Sequence, residues 1–311
     1  MDISSLKANY TFADLQDWRK ASRGSKPPVR LGVFGRPVAH SLSPQMHNAA
    51  LQASGLPMRY ARFAIEPEEL NPALELLLEL DFAGMNLTVP HKVAALAFVP
   101  EVDEAAAEIG AINTIKFEEG KLRGFNTDAP GFARAIREEF AVDLRDLRVL
   151  LLGAGGAARA IAWQCAKENC ERLVVANRDA SKAAALVEEL RPFFAGPRLL
   201  GPVARVQAIA LDETALRFQI ANSDLVVNAT ALGRNRSDPL PLAVRLLEPH
   251  LMIYDAVYSS EPTAFVTGAI QAGARAANGQ SMLLHQGALA FEIWFDRPAP
   301  LEAMRKALLS H

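Results

Sequence analysis

The sequence predicts an α/β protein of two domains, each built on a mostly parallel sheet, and three observations predict it. From Val29 onward, short apolar runs alternate with helix-period segments across brief connections, the pattern of strands covered by helices. A second such series opens at Leu147, where the apolar run Arg148–Leu152 leads into Gly153-Ala154-Gly155-Gly156 and then a helical stretch through Lys167. The chain has 311 residues, more than a single core usually organises.

The elements follow in order. Residues 1–28 read as an N-terminal extension, in which Thr11–Lys20 makes one amphipathic helix before the linker Ser22–Pro28. In the first series, Arg30–Gly35, Arg59–Ile65 and Phe82–Val89 have the apolar, β-branched and aromatic content of strands, while Pro44–Ser54 and Pro67–Leu80 carry helical spacing. In the second, Leu173–Ala176, Leu225–Asn228 and Met252–Asp255 read as strands and Ser181–Leu190 as a helix. Two last helices, Ser281–Phe295 and Leu301–Leu309, follow the final strand and can return to the first domain.

Composition narrows the function classes. A net charge of −2 and a pI near 6.3 offer no basic surface for nucleic acid or an anionic membrane, which leaves a small molecule as the expected partner. No apolar run approaches the length of a membrane span, and Met1–Lys7 lacks the pattern of a signal peptide, so a cytoplasmic location is expected. Cys165 and Cys170 fit neither a redox CxxC nor a zinc clamp and are expected as reduced, half-buried thiols on one helix. His40, His47 and His91 lack metal-ligand spacing and are expected to be structural or solvated, and no GxSxG elbow is present.

Gly153, Gly155 and Ala158 form a G-x-G-x-x-A pattern between a strand and a helix, the setting in which it holds a dinucleotide pyrophosphate. The following helix would turn its free N–H groups and positive dipole end to the phosphates. The next strand ends not in the acid that bonds a ribose 2′-hydroxyl but in Asn177-Arg178, with Lys182 one turn on, and these cations favour a 2′-phosphate and thus NADP(H). Asp179 beside them either caps the next helix, the favoured reading, or leaves NAD in use.

Polar residues recur at strand ends in the first series. Asn86-Leu87-Thr88-Val89-Pro90-His91-Lys92 puts Asn86 and Thr88 on one strand face, with Lys92 opening a helix after Pro90. Asn113-Thr114 and Asn126-Thr127-Asp128 add amides, hydroxyls and a carboxylate, which together suit a cleft for a small polyhydroxy substrate. In His40-Ser41-Leu42-Ser43-Pro44, Ser43 reads as an N-cap with Pro44 at the first helical position, while Ser41 has no such structural role; both hydroxyls can bind a carboxylate without an arginine. A lysine and a carboxylate beside a dinucleotide suggest hydride transfer to or from an alcohol.

From about Val29 to Phe295 the chain resembles shikimate dehydrogenases. The resemblance rests on Ser41–Pro44, Asn86–Lys92, Gly110–Thr114, Gly124–Asp128, Gly153–Ala157, Asn228-Ala229-Thr230, Asp255 with Tyr258, and Met282–Gln286. It implies reversible, NADPH-dependent reduction of 3-dehydroshikimate to shikimate, a step towards chorismate and the aromatic amino acids, without a metal. Lys92 would be the acid/base with Asp128 beside it. Ser41, Ser43 and Tyr258 would cradle the carboxylate, and Asn86, Thr88, Asn113 and Gln286 the ring hydroxyls. Gly153, Ala154, Gly155, Gly156, Ala157, Asn177, Arg178, Lys182, Ala256 and Gly279 would line the cofactor.

The resemblance also implies a substrate domain of residues 29–128 and 280–311, a Rossmann-like domain of 129–279, a closing cleft between them, and a monomer or homodimer. Three departures stand out: Arg234 for a usual methionine near the nicotinamide, Asp179 for a usual threonine, and Phe295-Asp296 for the customary threonine-glycine, read as loop variation. Quinate/shikimate dehydrogenases using NAD or NADP share almost every motif. A non-catalytic dinucleotide or pathway-ligand sensor on the same fold is the third reading, against which the retained Lys92 and Asp128 count.

Overall fold

The computed structural model describes residues 7–195, 204–233, 237–259 and 261–310. The chain divides into two compact units, Met1–Thr127 with Gln286–His311, and Asp128–His285. Asp128 and residues 280–285, grouped with the first domain from sequence, therefore count with the second unit.

In the first unit the chain runs β1 (Tyr10–Thr11), α1 (Phe12–Gln16), α2 (Trp18–Ala21), β2 (Val29–Gly35), α3 (Ser43–Ala53), β3 (Arg59–Ala64), α4 (Leu70–Glu79), β4 (Gly84–Leu87), α5 (His91–Ala94), β5 (Glu101–Val102), α6 (Glu104–Ile109), β6 (Thr114–Glu118) and β7 (Lys121–Phe125). Among the described residues these strands form one sheet in the order β1-β3-β2-β4-β6-β7-β5. The pairs β1/β3, β3/β2, β2/β4 and β5/β7 are parallel, and β6 is antiparallel to both neighbours. Central β2 is buried almost throughout because helices cover both faces of the sheet, which is why its sequence is a continuous apolar run rather than an alternation. The β6–β7 hairpin was not read from the sequence. Its turn places Glu119 and Gly120 both at positive φ (52° and 73°), and a glutamate is not a usual signal for that conformation.

The N-terminal segment is woven into this unit. Tyr10 pairs with Phe63 across β1 and β3, and Tyr10, Trp18, Phe34, Phe63 and Phe82 form one buried aromatic cluster. Phe63 sits at its centre, with ring centroids 5.4, 5.9, 5.7 and 5.9 Å from Tyr10, Trp18, Phe34 and Phe82. Each such pair adds roughly 0.5–1.5 kcal/mol beyond its burial. The single helix expected over Thr11–Lys20 is two: Thr11 caps α1 through a capping box with Asp14, and the chain breaks at Asp17 before α2 turns Trp18 inward.

The second unit contains α7 (Asp128–Phe140), β8 (Arg148–Leu152), α8 (Gly156–Lys167), β9 (Arg172–Asn177), α9 (Ala180–Leu190), β10 (Val206–Ala210), α10 (Glu213–Ala221), β11 (Leu225–Asn228), β12 (Met252–Asp255), α11 (Ala264–Gln271) and β13 (Arg275–Asn278). Its strands, all parallel, lie in the order β10-β9-β8-β11-β12-β13. This is the doubly wound nucleotide-binding order, with the reversal of direction between β8 and β11, where ligands bind at strand carboxyl ends. Leu150, Leu152, Val174, Val226 and Ile253 from the sheet pack with Leu216, Ile220 and Phe265 from the helices.

Cys165 and Cys170 depart from expectation. Both are wholly buried rather than half-buried, and Cys170 lies beyond the end of α8, its N–H donating to Cys165 O at 2.9 Å. The neighbouring Cys170 thiol, together with burial, pushes the Cys165 thiol well up, so Cys165 does not ionise readily.

The chain closes with α12 (Gln280–Phe295) and α13 (Leu301–Leu309), the latter packed on α3 of the first unit. Asp296 ends α12 in the left-handed region (φ 48°), a conformation glycine adopts without cost. The Phe295-Asp296 departure thus alters a helix terminus.

Candidate active site

In the first unit, strand pairing assembles the polar net. Asn86 on β4 lies opposite Thr114 on β6, and Thr114 opposite Phe125 on β7, so three sequence-distant strand ends meet. Asn86 Nδ2 donates to Asn113 O (3.2 Å) and Thr114 Oγ1 (3.0 Å). Asn113 Oδ1 accepts from the Thr127 N–H (2.8 Å) and the Thr114 hydroxyl (3.0 Å), while its Nδ2 donates to Thr127 Oγ1 (2.9 Å) and Gln286 Oε1 (3.4 Å). All these residues are buried, so their mutual bonding removes the penalty of unsatisfied polar groups.

Lys92 stands in the first turn of α5, half-buried. Its carbonyl accepts from Ile112 N–H at 2.7 Å, which ties the lysine's backbone to the residue before Asn113. Thr88 just outlasts β4, continuing the ladder through its N–H to Phe34 O (2.9 Å). Asn126 turns its amide to Ala111 O (2.9 Å) and so supports the same loop.

The Ser41–Ser43 segment differs from its sequence reading. Ser43 begins α3 instead of capping it, the cap position being Leu42 with no side-chain cap bond. Ser41 supplies the local bond instead, its Oγ accepting from Ser43 N–H at 3.3 Å. An arginine is present as well, since Arg62 on β3 donates to Ser41 O through Nε (3.0 Å) and Nη2 (2.6 Å) and to Gln45 Oε1 (3.1 Å).

In the second unit, Gly153 leaves β8 at φ +114°, and a Cβ there would lie 3.0 Å from Ala229 O after β11; the tight turn and the close approach both exclude a side chain. Gly155 is the N-cap of α8, makes no side-chain cap bond, and faces open space. The first-turn N–H groups of α8 thus have no capping side chain before them, and the residues present fit a pyrophosphate. Ala158 is wholly buried where helix meets sheet. At Gly279 a Cβ would lie 2.4 Å from Ala256 O, so these two cofactor-lining candidates pack backbone to backbone.

Asn228, Asp255 and Asn278 stand in register at the ends of β11, β12 and β13. Asp255 Oδ1 accepts from Asn228 Nδ2 (2.8 Å) and Val257 N–H (3.1 Å), and Oδ2 from Thr263 Oγ1 (2.7 Å). Burial raises the Asp255 carboxyl despite these donors. The net fixes the loop that carries Ala256 and the half-buried Tyr258.

At the end of β9, Asp179 is the cap of α9. Its Oδ1 accepts from Ser181 Oγ (2.5 Å), Ser181 N–H (3.1 Å) and Lys182 N–H (3.4 Å), and the Ser181 hydroxyl first of all holds the carboxyl below its usual range. Arg178 is exposed and Lys182 Nζ lies 3.9 Å from Asp179 Oδ2. Asn177 Nδ2 donates to Asp179 O at 2.9 Å, bracing the turn.

The structure therefore bonds Asn86, Asn113 and Gln286 into one net and Ser41 to Ser43, while Asp128, buried at the start of α7, and Tyr258 belong to the other unit. Arg234 lies outside the described residues. Tyr60 and Arg62 have no role in the sequence reading, and Thr114 and Thr127 enter it only as cleft hydroxyls without an assigned contact. The repeated Asn-Thr pairs at 113–114 and 126–127 mark the two threonines, but only strand pairing brings Tyr60 and Arg62 to the site. Among the described residues no cluster of His, Cys, Asp or Glu could hold a metal ion, and no helix is long and apolar enough to cross a membrane.

The two sheets and their polar strand ends define an α/β protein with a Rossmann-like dinucleotide fold and a separate α/β unit. Family models match residues 33–115 (shikimate dehydrogenase substrate binding domain), 134–235 (shikimate/quinate 5-dehydrogenase) and 279–309 (shikimate 5′-dehydrogenase C-terminal domain). The NADP(+) shikimate dehydrogenase of Methanopyrus kandleri is 42% identical over 283 residues, 90% of this chain and 95% of that protein. The crystal structure of shikimate 5-dehydrogenase from Thermus thermophilus in complex with NADP(H) and shikimate superposes with a TM-score of 0.77 at 37% identity, covering 90% of this chain and 98% of that one. Quinate dehydrogenase from Corynebacterium glutamicum in complex with NAD gives 0.80 at 29% identity, covering 91% and 99%. The chain belongs to the shikimate dehydrogenase family.

Proposed function

We propose that this protein interconverts 3-dehydroshikimate and shikimate with NADP(H), with Lys92 as acid/base and Asp128 as its carboxylate partner. The observation that carries the proposal is the tether between Lys92 O and Ile112 N–H, which makes the lysine and the Asn113 net parts of one local structure. When bound, the nicotinamide supplies or accepts the hydride. As charge grows on the carbonyl oxygen during reduction, Lys92 Nζ donates a proton to it; in the oxidative direction the neutral amine removes the alcohol proton. Asn86, Thr88, Asn113 and Gln286 are the groups assigned to the ring hydroxyls, and Ser41, Ser43 and Tyr258 to the carboxylate. Phosphates are assigned to the Gly153–Ala157 turn, and the nicotinamide end to Ala256 and Gly279.

Asn177, Arg178 and Lys182 are assigned to the ribose 2′-phosphate. Asp179 is already the acceptor for its own helix, which favours NADP over NAD. Arg178→Ala is expected to raise the KM for NADP+ by ten-fold or more, about the loss of one hydrogen bond to a charged group, and to leave the KM for NAD+ unchanged. Equal change with both cofactors would remove Arg178 from 2′-phosphate recognition.

Quinate oxidation with NAD is the second reading, favoured by the likeness to the Corynebacterium enzyme. Initial rates with shikimate and quinate, each crossed with NADP+ and NAD+, separate the two; a kcat/KM highest for quinate with NAD+ would displace the first reading. A cytoplasmic location and a monomeric or homodimeric state complete the proposal.

A further inference from the structure

Asn86 is fixed from behind by a residue with no assigned role. The Tyr60 hydroxyl lies 2.8 Å from Asn86 Oδ1, and both residues are buried. The direction of this bond follows from its neighbours. Asn113 O, a carbonyl, can only accept, so the Asn86 atom 3.2 Å from it must be the amide nitrogen. The oxygen of the same amide then faces Tyr60, whose hydroxyl must donate. The second amide hydrogen goes to Thr114 Oγ1 at 3.0 Å. Both donors of Asn86 and one lone pair of its oxygen are therefore engaged within the protein.

Tyr60 is held as firmly as the group it holds. Its N–H donates to Asn48 Oδ1 and its carbonyl accepts from Asn48 Nδ2, both at 2.9 Å, which pins β3 to α3 at this residue. Its ring stacks on His47 with centroids 4.5 Å apart and planes 11° apart, and Trp294 packs on the same pair from 5.2 and 6.2 Å. The hydroxyl consequently has one direction in which to point.

We propose that Tyr60 is a positioning residue that, by donating to the Asn86 oxygen, locks the Asn86 amide in the polarity that the Asn113 carbonyl sets, so that Asn86 can meet a ligand only as an acceptor and selects a hydroxyl over a carbonyl at that place. This deepens the shikimate reading and rests on it. Without the Tyr60 hydroxyl, the Asn86 oxygen loses its donor and the side chain keeps only the two bonds from its nitrogen, so the amide is held less firmly.

The test compares the parent chain with Tyr60→Phe, which keeps the ring and its stacking. Tyr60→Phe is expected to raise the KM for shikimate roughly ten-fold, with kcat and the KM for NADP+ within about two-fold, the pattern of lost ground-state positioning. In an Asn86→Ala background the same change should have no further effect, because the group it orients is gone. An unchanged KM in a folded Tyr60→Phe protein, equal losses in kcat, or full additivity with Asn86→Ala would overturn the proposal. Asparagine-selective ¹⁵N labelling gives a readout independent of substrate. The Asn86 side-chain NH₂ pair should be protected from solvent exchange in the parent and should lose protection in Tyr60→Phe; rapid exchange in the parent would also overturn it. Absence of turnover with shikimate in the parent would instead count against the functional reading, while the exchange measurement still decides the role of Tyr60.

Discussion

Replacing Lys92 by alanine is expected to lower kcat for shikimate oxidation by about 10²- to 10⁴-fold while the KM for shikimate moves only a few-fold. The size follows from where the proton matters. Hydride transfer alone leaves a charged oxygen, and a positioned donor lowers the barrier only while that charge is forming, so its removal acts on the transition state more than on binding. Arginine at the same position should restore little, because a guanidinium keeps its proton at working pH and cannot act as the base in the oxidative direction. Lys92→Met, close in length and apolar, provides the control: thermal denaturation should show the parent's midpoint within a few degrees, since the backbone tether from Ile112 N–H to residue 92 is retained. A raised KM with intact kcat would make Lys92 a binding group and end its role in proton transfer.

Acid should destabilise the first unit through His47. Its ring is fully buried, neither nitrogen has a hydrogen-bond partner, and burial lowers its pKa from the ordinary 6.5 to about 3. Above pH 6.5 the imidazole is neutral in both folded and unfolded chains and contributes no pH dependence. Below it, the unfolded chain takes up a proton that the folded chain refuses, so stability falls as the pH drops from 6.5 towards 3. The slope from this one group is about 1.4 kcal/mol per pH unit. Urea unfolding at several pH values between 7 and 4, for the parent and for the non-titrating His47→Gln, should give curves that converge in acid as the parent loses its advantage. Parallel curves would show that His47 gains its proton while still folded.

The legible part of this molecule was what local sequence controls. Arg148–Leu152, Leu225–Asn228 and Met252–Asp255 are legible at their observed limits because buried parallel strands must be continuous apolar runs, and Gly153 because a turn at positive φ against the Ala229 backbone accepts no side chain. Asp179 was read as a cap from its place just before a helix, and it caps. The β6–β7 hairpin escaped because its turn rests on Glu119 at positive φ. The segment before residue 28 looked separable because nothing in Tyr10 or Trp18 alone reveals the Phe63 ring between them. The Ser43 cap was misplaced by one residue, since the Ser41 hydroxyl and not that of Ser43 meets the helix start.

By itself the sequence determined the two α/β series, the phosphate-type glycine turn and the residue types of the candidate site, because strand burial, helix starts and left-handed turns are constraints that act within a few neighbouring residues. Only the tertiary structure decided which polar groups are already committed to one another. That Asn86 has no donor left, that Tyr60 aims its oxygen, and that Arg62 braces Ser41 all depend on bonds between strands and helices 17 to 28 positions apart in the chain. Hydrogen bonds are short and directional, so their partners follow from register and packing rather than from spacing along the sequence.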